Sequence, residues 1–160
     1  MPYSQKYVFV HFTSPVQAGT SFRMSDWPVH VTLADVFAVD RHGVALDQKV
    51  ADLLADMQPV ETTTYRDDVL GTTPVVLLDK TTSLVMLHMA IVTLLEQNGA
   101  IFNTPEFTKD GFLPHSTIQK SGRLNIGDIV TIDSVSLVDM FPGGDRKQRH
   151  ILATFPMKRH

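Results

Sequence analysis

No cysteine occurs among the 160 residues. Disulfide frameworks, thiolate zinc sites and a cysteine nucleophile are thereby excluded, and a reducing compartment fits. Charge is also sparse, at 19% of residues, and the formal net charge is −3. A chain without a basic surplus is not built to hold long nucleic acid, although a small nucleotide or a local basic patch stays compatible. Long apolar runs are missing as well. The most apolar stretch, residues 84–95, is broken by His88 and falls short of the roughly 20 residues that span a membrane, so it reads as a buried helix. The first twelve residues hold too short an apolar core for a signal peptide, with no small-residue cleavage site after it. A cytoplasmic protein without membrane contact is expected.

What is present is 43% hydrophobic residues over a length that suits one domain, residues 1–160, with its own core. β-Branched and aromatic runs predict strands at residues 7–12, 29–36, 60–66, 75–78 and 115–119, and a closing hairpin from 129–140 and 150–155. Apolar residues at 46, 50, 53, 54 and 57 fall at helical spacing, and Pro59 stops them. Thr81, Thr82 and Ser83 offer caps for a second helix that Gly99 closes. Residues 100–114 read as a long connection. About seven strands and two main helices, not strictly alternating, predict an α+β fold rather than a doubly wound parallel sheet.

Two short stretches carry the chemistry: His30-Val31-Thr32-Leu33 and His115-Ser116-Thr117-Ile118. Side chains at i and i+2 share a strand face, so each stretch presents an imidazole beside a hydroxyl. Two such strands across one groove would supply paired titratable nitrogens for acid–base work on a phosphodiester. The threonines would donate to phosphate oxygens as charge grows on them. One His-x-Thr is a chance match more often than not; two strand-borne copies weigh more. A zinc site draws three or four ligands, and no third ligand sits at a telling spacing.

Other residues have competing readings. His11 alternates on the first strand and could face the groove, although an edge or part-buried histidine is the plainer reading. His88 is most simply structural, and His42 sits in a turn. Trp27, Phe107 and Phe112 could each stack on a base, but each is more often core or loop packing. Arg146, Lys147 and Arg149 read as a solvated hairpin tip rather than a basic rim. The tail Lys158-Arg159-His160 reads as frayed.

The two motifs resemble the hallmark of the two-histidine (2H) phosphoesterase superfamily, also called LigT-like or 2′-5′ RNA ligase-like. Pro114 matches the proline that often precedes its second motif. Lys120 stands where an arginine often follows, keeping the charge but not the fork. Ser116 departs from the larger apolar residue usual there. The resemblance implies two pseudo-symmetric lobes, each an antiparallel sheet with helix packing, flanking a central groove. It also implies metal-independent hydrolysis of 2′,3′-cyclic or 2′-5′ phosphodiesters in a nucleotide or short RNA, without a cofactor. It makes His115 the base and His30 the acid, with Thr32 and Thr117 beside them; Lys120 by its motif position, and His11 and Trp27 by their own place and type, are candidate substrate contacts. A monomer is expected. The alternatives are a phosphodiesterase of signalling oligonucleotides, 2′-5′ or cyclic, and a nucleotide- or RNA-binding module that does not turn over.

Overall fold

A computed structural model describes residues 5–159. Residues 1–4 of the amino-terminal segment and His160 of the basic tail lie outside the described residues.

The strand β1 (Tyr7–Phe12) is buried along its whole length, which its aromatic and β-branched sequence suits. It lies inside a six-stranded sheet with β2 (Ser21–Arg23), β3 (His30–Ala38), β6 (Ile101–Phe102), β9 (Ser134–Asp139) and β10 (Gln148–Pro156). Their order is β2-β10-β9-β1-β3-β6. A second sheet, ordered β7-β5-β4-β8, holds β4 (Val60–Leu70), β5 (Thr73–Leu78), β7 (His115–Thr117) and β8 (Ile129–Ile132). Every strand pair is antiparallel among the described residues. The fold is therefore α+β with two lobes, and the lobes are unequal in size.

Helix α1 (Leu46–Ala55) turns Leu46, Val50 and Leu54 inward, as its apolar spacing requires. Helix α2 (Thr82–Gln97) starts where the Thr81 hydroxyl accepts the Leu84 N–H at 3.2 Å. Its buried stripe of Leu84, Leu87, Ile91 and Leu95 joins Phe9, Leu33 and Phe37 of the large sheet and Leu78 and Ile132 of the small one in one hydrophobic cluster. One core thus fixes the two sheets relative to each other. No helix among the described residues is long and apolar enough to cross a membrane.

Two expectations are corrected. Residues 129–140 are not one hairpin arm. The chain changes sheet at Asp133: β8 pairs with β4 in the small sheet, while β9 pairs with β10 and β1 in the large one. Continuous β-prone composition hides that change, because both halves are good strands. The strand count also rises to ten among the described residues, since β2 and β6 are short ribbons inside segments that read as loops.

The β4–β5 hairpin closes over two residues, Gly71 and Thr72, between the paired Leu70 and Thr73. Gly71 has φ 63° and Thr72 does not share the left-handed region, the pattern of a type II′ turn with glycine first. This tip lines the groove described next.

Candidate active site

Strand β3 and strand β7 belong to different sheets, with no ladder between them. Beyond Phe37 and Ala38, β3 has no hydrogen-bonded strand neighbour on the β7 side among the described residues. The cleft left there is a cavity of about 660 Å³ lined by Thr32, His115 and Thr117. His30 is opposite Phe12 and Thr32 is opposite Val10 on β1, so both share one sheet face. A charge on His115 bears directly on His30. Three of the four motif residues thus line one cavity, and His30 stands behind that wall beside Thr32 on the same strand face.

Both imidazoles are held in the same way. His30 Nδ1 lies 2.8 Å from the Pro28 carbonyl, and His115 Nδ1 lies 2.7 Å from the Leu113 carbonyl. A carbonyl only accepts, so each Nδ1 carries the hydrogen and donates it. Each neutral ring then presents a bare Nε2. The repeated bond to residue i−2 is local: at His115 the accepting Leu113 precedes Pro114, which favours its extended backbone, and at His30 the acceptor is Pro28 itself.

The surroundings of the two rings differ. Trp27 packs on the His30 ring at 4.4 Å between centroids, and Phe12 meets it edge-on at 6.1 Å. His30 is only 9% exposed. Burial, opposed by the bond to Pro28 and reinforced by His115, lowers its pKa to about 4. His115 is half-buried and opens onto the cavity. Neither Thr32 nor Thr117 makes a side-chain hydrogen bond among the described residues, so both hydroxyls stay available beside the rings.

The register of β3 on β1 slips by one residue between the pairs Val10↔Thr32 and Phe9↔Ala34. This bulge turns Leu33 and Ala34 together into the core, where both are at most 1% exposed. Asp35, three residues after Thr32, is thereby returned to the Thr32 side and lines the same cavity. Strict alternation puts it on the opposite face, which is why sequence reasoning missed it.

Some candidates lie elsewhere. His11 is opposite Val31, on the core-facing side of the sheet; it bonds the Ser134 carbonyl at 2.8 Å and lines a separate cavity of about 270 Å³. Lys120 is 78% exposed on the Gln119–Gly122 turn, 3.8 Å from Asp26, and does not line the cavity of Thr32, His115 and Thr117. Trp27 backs His30 rather than lining the cavity. His88 is satisfied on both nitrogens: Nδ1 donates to the Leu33 carbonyl at 2.7 Å and Nε2 accepts the Lys109 N–H at 3.0 Å. Its ring stacks on Phe112 at 3.9 Å. It ties β3 to the 103–114 connection, as its structural reading expects. Phe112 is packed against it, while Phe107 is 53% exposed at the cavity wall. Arg149, read as part of a solvated tip, is instead 7% exposed. Its Nη1 donates to three carbonyls, and its guanidinium lies 5.9 Å from the Trp27 ring centre. Turn-forming neighbours concealed its position on a paired strand.

Ser116, between His115 and Thr117 on β7, turns into the core with an unpartnered hydroxyl. A buried hydroxyl without a partner costs about 1–3 kcal/mol. Ser116→Ala is expected to raise the unfolding free energy by about 1 kcal/mol, read from the midpoint of urea denaturation.

A family model described as the 2′-5′ RNA ligase superfamily matches residues 12–131. No curated protein matches in sequence. Among solved structures, the fold is similar to that of a phosphoesterase, with a TM-score of 0.60 at 16% identity over 97% of this chain and 99% of that one. It is also similar to E. coli LigT solved with 3′-AMP, with a TM-score of 0.59 at 16% identity over 97% and 99%. For the protein TT0787 of Thermus thermophilus the TM-score is 0.60 at 13% identity over 97% and 100%. At these identities the likeness is one of fold. The matched span holds both His-x-Thr strands and the cleft between them, and the chain belongs to the 2′-5′ RNA ligase superfamily, the family its paired motifs resemble.

Proposed function

We propose that this chain is a phosphodiesterase that hydrolyses 2′,3′-cyclic phosphate or 2′-5′ phosphodiester bonds in a nucleotide or short RNA, without a metal. The observation that carries the reading is the matched pair of histidines, each with Nδ1 committed to its own main chain and Nε2 left bare beside a free threonine hydroxyl. Solved structures of E. coli LigT hold 3′-AMP, ATP or NADP+, which supports a nucleotide as the ligand class.

In this reading the phosphodiester anion sits between the strands, with Thr32 and Thr117 donating to its non-bridging oxygens. One neutral imidazole takes a proton from water as the water oxygen bonds to phosphorus. The bond from phosphorus to one ribose oxygen breaks, and the other imidazole, protonated, gives that oxygen its proton. The product is a phosphomonoester, and solvent exchange resets both rings.

The family resemblance makes His115 the base and His30 the acid. The burial of His30 favours the reverse. A group whose pKa lies near 4 is neutral at pH 7 in the free enzyme, which is the state a base needs. An acid must be reloaded with a proton every turnover, and half-buried His115 is open to solvent for that. We therefore take His30 as the base.

The test is incubation of the purified protein with EDTA and a 2′,3′-cyclic nucleotide across pH. Turnover is expected to persist with the chelator. With His30 as base, the acid limb of kcat/KM lies near pH 4, where His30 gains its proton. With His30 as acid, kcat/KM falls as pH rises above about 4, because the required proton is lost. Binding without product supports the non-catalytic module instead.

A further inference from the structure

The cleft holds more than a phosphate needs. Much of the wall is apolar, with Leu70, Phe107 and Leu113 in it, and Phe107 and Leu113 are 53% and 42% exposed. Among the described residues no lysine or arginine lines the cavity, and its one carboxylate is Asp35. That carboxylate forms no ion pair among the described residues. Its Oδ1 accepts the Val36 N–H at 2.8 Å, and its Oδ2 accepts the Thr104 hydroxyl at 3.0 Å. Each oxygen carries two lone pairs, so acceptor capacity is left over. The turn that Asp35 holds through Thr104 also carries Phe107, whose N–H donates to the Thr104 carbonyl at 3.0 Å. One exposed aromatic ring and one carboxylate are thus tied to the same turn and line the same cavity as His115.

We infer that this part of the cleft is a nucleobase subsite, in which the ring lies against Phe107 and Asp35 accepts a hydrogen bond from an exocyclic amine. The inference rests on the phosphodiesterase reading and narrows its substrate to amino-bearing nucleosides carrying a single phosphodiester charge. A flat ring suits the apolar wall. A carboxylate accepts from an amine such as cytosine N4 and opposes a keto oxygen in the same place. A site without lysine or arginine offers nothing to a second phosphate group.

The test compares two pairs that differ at one group: the 2′,3′-cyclic phosphates of cytidine and uridine, and those of adenosine and inosine. In at least one pair, kcat/KM is expected to favour the amine by about tenfold or more. Asp35→Asn keeps an acceptor oxygen for one of its two partners, the Val36 N–H or the Thr104 hydroxyl, and replaces the other oxygen by a donating N–H₂, so the preference is expected to vanish or invert. Phe107→Ala is expected to raise KM for the preferred nucleotides and leave the amine preference in place. Calorimetric binding of 3′-CMP against 3′-UMP, and of 3′-AMP against 3′-IMP, runs in parallel. Hydrolysis of all four cyclic substrates with no preference in either pair overturns the subsite and leaves the phosphodiesterase reading standing. An Asp35-dependent binding preference without hydrolysis overturns the catalytic reading and leaves the subsite. Should Asp35→Asn fail to fold, the preference of the unaltered protein decides.

Discussion

Replacing His115 by alanine is expected to lower kcat for a 2′,3′-cyclic nucleotide by at least ~10²-fold, and His30→Ala to do the same. Each change removes the Nε2 that moves a proton, and no neighbouring group stands in for it. The double variant is expected to fall little further than the worse single one, because the two rings serve one proton relay. The two losses should separate under chemical rescue. His115 opens onto the cavity, so added imidazole is expected to restore part of the His115→Ala rate. The His30 ring is enclosed by Trp27 and Phe12, so added imidazole should do little for His30→Ala. Circular dichroism of each variant checks that the fold survives. His30→Gln, which refills much of the space beside Trp27, is the control if His30→Ala does not fold.

The threonines carry the second large effect. Thr32→Val and Thr117→Val are each expected to lower kcat by about 10²-fold, the scale of removing one donor from a developing oxyanion. KM should move much less, since the bond strengthens as charge grows on the phosphate oxygens. Stability should change by less than about 0.5 kcal/mol, because neither hydroxyl has a protein partner to orphan. Equal losses in kcat and folding would instead make these residues part of the scaffold. Steady-state kinetics beside urea melts separate the outcomes.

The motif strands were legible because their signal is local. Period-two spacing places His30 with Thr32, and His115 with Thr117, before any tertiary contact is known. Helices α1 and α2 were legible for the same reason, from their apolar stripes and the Thr81 cap. What was hidden depends on pairing partners. The change of sheet at Asp133 follows from which strands β8 and β9 meet, not from their own residues. Asp35 reaches the cleft only through the slip between β3 and β1, and alternation alone assigns it to the wrong face. His11 errs in the opposite sense: it has the right chemistry on the right strand, but it pairs across from core-facing Val31. Trp27 reads as a base-stacking candidate from its type, whereas its position behind His30 makes it a cause of that ring's burial.

That burial has a consequence for stability at low pH. His11, His30 and His88 all have pKa values lowered by desolvation. Below their ordinary range the unfolded chain binds protons that the folded chain refuses, so stability falls as pH drops from about 6.5 towards 4. The acid limb of any rate profile should therefore be read only where the fold is intact.

Convergence of two imidazoles from separate sheets on one phosphate is decided by titrating the protein with 3′-AMP while following the histidine ring signals by NMR. Shifts of His30 and His115 with one shared Kd, while His42 outside the cavity stays still, are the expected result. A response from only one of the two rings, or from neither while the nucleotide binds, would contradict that convergence.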